Sequence, residues 1–285
     1  MFRLLKIRSV IALGVLAFAL QTVAVADVLA IRSGSGADAA AIQGTVDQFR
    51  TDLGNPNNGN VPGPLAGGRR EINWDGAPGT NTAAPAGTPF NGFQNIRGAS
   101  FTTPGTGFLQ TPINAPEFTA INPTYSAVFE TFSPLRIFTP LGSNILDVTF
   151  SIPGTNGATP ALVAGFGSIF SDVDLANMTS LQFFNALNQS LGTYYAPTAN
   201  NGLSFIGVLF DSAVVSRVRI TNGNFALGPN DGGSIDVVVM DDFLYSEPQT
   251  APVPEPATML LLGTGLAGVA ARARRRRKTK GDASA

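Results

Sequence analysis

From about residue 95 the chain is cut into short runs by turn-forming pairs, and this punctuation limits its fold more than any other feature. Pro153-Gly154, Asn156-Gly157, Asn201-Gly202, Asn222-Gly223 and Asp231-Gly232-Gly233 separate segments rich in Val, Ile, Phe and Thr. The segments read as strands at 99–103, 127–132, 145–152, 162–170, 180–184, 190–195, 203–210, 216–221 and 235–245. Several alternate. In 216–221, Val218 and Ile220 face one side while Arg217 and Arg219 face the other. Many short strands separated by such turns predict a mainly β protein built as an antiparallel two-sheet sandwich, jelly-roll-like in plan. Gly (32) and Pro (20) are frequent and charged residues make up only 13%, which favours short elements over long helices. Phe (20) far outnumbers Trp (1) and Tyr (4), and it carries no polar group, so these rings are expected in the core.

One soluble helix is expected ahead of the strands. Ile42, Val46, Phe49 and Leu53 follow i, i+4, i+7 and i+11 and so share one face, with Asp38 as N-cap and Gly54 as the stop. Residues 54–92 are Gly- and Pro-rich and read as loop, except for Arg69 to Gly76, which holds the single Trp74 and is expected to pack on the main domain. No internal repeat and no glycine fingerprint for a phosphate is present.

Cys and His are both absent. Disulfides, Cys or His zinc sites, haem ligation, Cys nucleophiles and a Ser-His-Asp triad are therefore excluded. Stability must come from packing or bound ions, and any catalysis from carboxylates, hydroxyls or a hard metal. The formal net charge of −1 hides a segregation. Residues 27–251 hold eight Arg, no Lys and seventeen Asp plus Glu, a net of −9. An acidic domain of this kind is not expected to bind nucleic acid, which needs a basic footprint.

The basic charge sits at the two ends. Residues 1–26 read as a signal helix: Arg3, Lys6 and Arg8, then an apolar run, then Ala24-Val25-Ala26 as the small-x-small cleavage site. Towards the other end, 248–256 is an extended linker holding Val253, Pro254, Glu255 and Pro256, because each proline fixes its own φ and disfavours helix before it. Residues 257–271 carry no charge and read as a short transmembrane helix of about 22 Å, less than the ~30 Å hydrocarbon core. Snorkelling arginines and local thinning cover that deficit. Residues 272–285 form a basic tail with Arg272 and 274–278 in a cluster, which is expected to stay cytoplasmic. These boundaries leave 27–94 as an N-terminal helix and loop segment and 95–247 as the sandwich domain. Read physically, the end of the chain is either a Pro-rich linker before a plain anchor or a motif gripped by a membrane enzyme.

The order Val253-Pro254-Glu255-Pro256, short Gly-containing helix and Arg run resembles the PEP-CTERM sorting signal. That resemblance implies exosortase, a membrane transpeptidase-like enzyme of Gram-negative bacteria, as a processing partner. It also implies a tail that anchors the protein in the membrane only until it is removed. The runs Gly165 to Asp174, Ser180 to Phe184, Ser190 to Tyr194 and Met240 to Tyr245 are similar to a sandwich domain common in PEP-CTERM proteins, itself akin to lectin-like jelly rolls.

Four acids are candidate ligands for a structural calcium, a cation that takes oxygen ligands. Asp172 and Asp174 lie two apart and so share a strand face, and Asp241 and Asp242 sit near the end of the last strand. The alternative is that all four are solvated strand-end acids or turn caps. Trp74 beside Asn73 and Asp75, or Tyr194 with Tyr195, would suit a sugar-binding face, with packing as the competing reading for Trp74. Glu71, Asp75, Glu117 and Glu130 supply acids for a glycosidase, but seventeen acids give chance pairs in any fold. The expected function is a non-catalytic, exported surface or extracellular-matrix protein of a biofilm rich in exopolysaccharide. A carbohydrate-binding module for that exopolysaccharide is the alternative, with a carboxylate-based glycan hydrolase behind it.

Overall fold

The structure, a computed structural model, describes residues 27–76 and 86–251, with Gly263, Gly265, Leu266 and Gly268 as isolated helical positions beyond them. The expected signal helix 1–26 with Ala24 and Ala26, the motif 253–256, the rest of 257–271 and the tail 272–285 lie outside the described residues. Among the described residues no helix is long and apolar enough to cross a membrane.

In chain order the elements are β1 (Val28–Gly36), α1 (Ala39–Leu53), β2 (Arg69–Ile72), α2 (Gln94–Arg97), β3 (Ala99–Thr102), β4 (Gly107–Pro112), α3 (Pro116–Thr119), α4 (Tyr125–Val128), β5 (Arg136–Leu141) and β6 (Ile145–Phe150). They continue as β7 (Ala161–Leu162), β8 (Gly165–Val173), β9 (Ser180–Phe184), β10 (Ser190–Tyr195), β11 (Ala199–Phe210), β12 (Arg217–Thr221), β13 (Val239–Ser246) and β14 (Gln249–Thr250). The protein is mainly β, and all of these strands pair antiparallel. One sheet runs β1-β11-β8-β13-β5-β4, with β2 also on β13; the second runs β10-β9-β12-β6-β3; β14 and β7 form a separate ribbon. From β8 onward only the β9–β10 pair is a local hairpin, and the other connections up to β13 cross between sheets. Phe101, Val148, Phe183 and Ile220 of the smaller sheet meet Phe166, Val208, Met240 and Phe243 of the larger in one buried core.

The larger sheet is covered on its outer face as well. Asp38 caps α1 through its Oδ1, which accepts the Ala41 N–H at 3.0 Å, and the stripe Ile42, Val46, Phe49 and Leu53 lies on Ile169, Leu203, Phe205 and Leu209. Gly167 and Gly207 pair directly across β8 and β11, and a Cβ on either would come within 2.7–2.8 Å of the Phe49 ring. The two glycines leave the hollow that the ring fills. Further along, Phe118 of α3 and Tyr125 of α4 pack with Phe129 against Leu109, Ile137 and Val239.

The expected sandwich and helix are present, and several expected boundaries are corrected. The segment 27–94 is not outside the sandwich: β1 is an edge strand on β11, and β2 pairs with β13. The strand expected at 127–132 is instead α4 followed by extended chain, because Tyr125 and Phe129 are one helical turn apart and stack at 4.5 Å. The run 162–170 divides into β7 and β8, and the last strand begins at Val239, not at 235. Strands β4 and β5 were unexpected. Pro140 argues against a strand, yet β5 tolerates it, since β5 meets β13 only at Met240↔Phe138.

Candidate functional site

Asp172 and Asp174 come together with a third acid, Asp231, one carboxylate oxygen of each lying within 4.8 Å of the others. Strand periodicity is not what aligns them. Asp172 has φ +67°, a left-handed conformation, and β8 ends at Val173. Asp172 Oδ1 accepts the Asn201 N–H at 2.7 Å, and Asp231 Oδ1 accepts the Val237 N–H at 3.1 Å, so both carboxylates are held by backbone. Asp174 Oδ1 is shut off from solvent with no hydrogen-bond partner among the described residues. Next to it, Asp236 is fully buried and accepts the N–H groups of Asp174 and Leu175 at 3.2 and 3.1 Å. Burial, reinforced by the charges of Asp174 and Asp231, pushes the Asp172 carboxyl up to about 8. Burial pushes Asp236 up to about 6, and burial with the charge of Asp231 raises Asp174. Oxygen donors clustered in this way fit a hard cation such as Ca²⁺. Asp231 lies in the Asp-Gly-Gly turn, visible in the sequence as a turn, but nothing local ties it to residues sixty positions earlier.

Asp241 and Asp242 do something else. Opposite β8, three steps along β13 from Met240 to Phe243 match two steps from Phe170 to Ser168, so the acids occupy a β-bulge. The bulge turns both side chains to the segment 132–135. Asp241 Oδ2 accepts the N–H groups of Phe132 and Ser133 at 2.7 and 3.2 Å. The Ser133 hydroxyl donates to Asp242 Oδ1 at 2.6 Å, and Arg50 lies 3.7 Å from Asp242 Oδ2. Burial raises both carboxyls, Asp241 further because Asp242 adds a like charge. The structure does not bring this pair to the Asp172 cluster; among the described residues its oxygens are engaged by a loop and an arginine.

The remaining candidates separate clearly. Trp74 is fully buried and stacked on Phe138 with ring centroids 3.8 Å apart, and its Nε1–H donates to the Asp241 carbonyl at 2.8 Å. Tyr194 packs edge-on against Phe183, and Tyr195 is exposed. Glu71 is held by Arg50 and Arg69 at 3.0 and 2.6 Å, and Asp75 accepts the N–H groups of Leu135 and Arg136. Glu117 accepts from the Thr111 hydroxyl at 3.3 Å.

Comparison with known proteins bears on the sorting segment. Residues 252–276 match the PEP-CTERM protein-sorting motif. No curated protein and no solved structure matches the chain. The match spans the Val253-Pro254-Glu255-Pro256 tetrad, the uncharged run and most of the arginine cluster. Residues 252–276 of this mainly β, sandwich-like protein are thus a PEP-CTERM protein-sorting motif, which implies processing by exosortase, export and surface localisation.

Proposed function

We propose that the protein is led across the inner membrane of a Gram-negative bacterium by residues 1–26 and held there briefly by 257–271. Exosortase then cuts it, and it serves as a non-catalytic structural component of the exopolysaccharide matrix. The sorting motif at 252–276 is the observation that carries this reading. The fold supports it: a sandwich with a doubly covered sheet is a rigid body that needs no disulfide outside the cell. Replacing Pro254, Glu255 and Pro256 together with Ala is expected to leave the tail uncut and the protein in the inner-membrane fraction. Fractionation with an antibody to the sandwich reads the outcome, and normal release would sink the proposal. Retention on the host's own polysaccharide in a pull-down, and release of reducing sugar, separate a structural protein from a binding module and from a hydrolase.

In this reading Asp172, Asp174 and Asp231 take a structural Ca²⁺. The ion would bind the native state alone and raise stability by mass action, about 2.7 kcal/mol at a hundred times Kd. Protons compete with it. Unfolded Asp titrates near ~3.9. The native carboxyls of Asp172 and Asp236 titrate at about 8 and about 6. Between those limits the native state binds more protons, so the contribution of these two groups to stability without metal is fully present below the unfolded value and falls as pH rises towards 8. Melting in chelator is therefore expected to drop from pH 5 to pH 8, and millimolar Ca²⁺ to raise it far more at pH 8 than at pH 5. Mg²⁺ should help less, since it demands tighter octahedral geometry. A melting temperature at pH 8 that ignores both chelator and Ca²⁺ would leave the three acids as a metal-free cluster.

A further inference from the structure

Between α1, β2, the 132–134 segment and the bulge of β13 lies a polar cavity of about 450 Å³. Arg50, Asn57, Glu71, Asn73, Arg97 and Asp242 line it. The volume is that of a small-molecule site. Apart from Arg97, the charged lining groups are held in place from behind. Arg50 and Arg69 hold Glu71, and Ser133 and Arg50 hold Asp242. The Arg50 guanidinium also lies over the ring of Phe132, 5.7 Å from its centroid.

Arg97 is the exception. Of the eight arginines in 27–251, six pair with a carboxylate among the described residues: Arg32, Arg50, Arg69, Arg70, Arg217 and Arg219. Arg136 donates to the Asp75 carbonyl. The Arg97 side chain has no carboxylate within 4 Å among the described residues, and its Nε and Nη1 are buried without an acceptor. Leaving half-buried guanidinium donors unsatisfied costs free energy, and in a domain of net −9 an acceptor was available from many acids. A guanidinium with no carboxylate partner among the described residues, on the wall of a cavity, is set up to receive an anion at its outer edge, Nε and Nη1 themselves being shut off from solvent. The neighbouring amides and carboxylates are the donor and acceptor mix that reads hydroxyl groups.

We propose that this cavity binds an acidic sugar unit of a polysaccharide, with the uronate carboxylate on Arg97 and the hydroxyls on Asn57, Asn73, Glu71 and Asp242. The assignment rests on the matrix reading above and names the class of glycan it would meet. It also explains why Glu71 and Asp242 are neutralised by arginines: bare carboxylates there would repel the ligand.

The test is titration calorimetry of the purified full chain with trigalacturonate, with neutral cellotriose and with inorganic sulfate. Trigalacturonate is expected to bind, cellotriose at least ten-fold more weakly, and sulfate not to compete at equal concentration. Arg97→Gln is expected to weaken trigalacturonate at least ten-fold while leaving the melting temperature unchanged or higher, since it removes an unpaired buried charge. Should Arg97→Gln fold poorly, Asn73→Ala is expected to weaken the same ligand about three-fold or more. Undetectable trigalacturonate binding, equal binding by the variants, or equal competition by sulfate overturns the site. A pull-down on the host polysaccharide separates the failures. If wild type and Arg97→Gln are retained equally, the cavity is wrong and the polysaccharide is held elsewhere on the protein; if neither is retained, the cavity is wrong and the structural reading, which the fractionation above tests, stands without it.

Discussion

Glu247→Ala is expected to destabilise the sandwich by about 3–5 kcal/mol, the usual cost of stripping one partner from a buried ion pair. Arg70 and Glu247 are both buried, and the guanidinium grips the carboxylate at both oxygens, Nε to Oε2 and Nη2 to Oε1, each at 2.7 Å. Glu247 also accepts the Leu65 N–H at 3.2 Å and the Asn58 amide at 2.8 Å. Arg70 spends its remaining donors on the Gly59 and Ile96 carbonyls. One carboxylate therefore fastens β2 and the loop 58–67 to the end of β13, immediately before the linker. Removing it leaves a guanidinium in the interior and frees that loop. For a domain of this size the loss corresponds to roughly 6–20 °C in Tm. The paired replacement Arg70→Met with Glu247→Leu removes both charges and should recover part of the loss, the rest remaining because Asn58, the Leu65 N–H and the Gly59 and Ile96 carbonyls lose their partners. Thermal or urea unfolding reads both, and a change below about 1 kcal/mol in Glu247→Ala would mean that water reaches the pair.

Trp74→Ala is expected to cost about 3–5 kcal/mol as well, by leaving a cavity at the centre of the aromatic core. The ring stacks on Phe138 and meets Phe243, Phe93 and Phe101 with centroids 5.0, 5.4 and 5.5 Å away. Trp74→Phe keeps much of that packing but strands the Asp241 carbonyl, a penalty of about 1–3 kcal/mol. In sequence a lone Trp flanked by Asn73 and Asp75 leaves a sugar platform open beside the expected packing, and burial decides between the two. If Trp74→Ala left stability within about 1 kcal/mol, the ring would not be the core element its contacts describe.

What the sequence makes legible follows from which faces meet water. The helix α1 shows its stripe because its other face is solvated. So do β6 and β12, whose outward residues alternate with buried ones. β8 and β13 are buried at every position, since α1, α3 and α4 cover the face that the smaller sheet does not. Their register, and the bulge at Asp241 and Asp242, leave no periodic trace. β1 is hidden for another reason: its second half is Ser33-Gly34-Ser35-Gly36, and it is a strand because β11 offers an open edge.

The sites divide in the same way. Asp172 and Asp174 are neighbours in sequence and were visible as a pair. Asp231 joins them only through the fold, and the cavity at Arg97 draws its walls from α1, β2, the 132–134 segment and β13. Residues that converge from distant segments carry no local signature. The sorting segment is the opposite case. Its tetrad, apolar run and arginines act in linear order, so the sequence holds the whole signal.

Intact mass of the protein from its native host, compared with a strain lacking exosortase, tests the central claim most directly. The account predicts a mature chain that begins at Asp27 and lacks the arginines from Arg272 onward, with the arginines retained when exosortase is absent. A mature protein that still ends at Ala285 in the native host would contradict it.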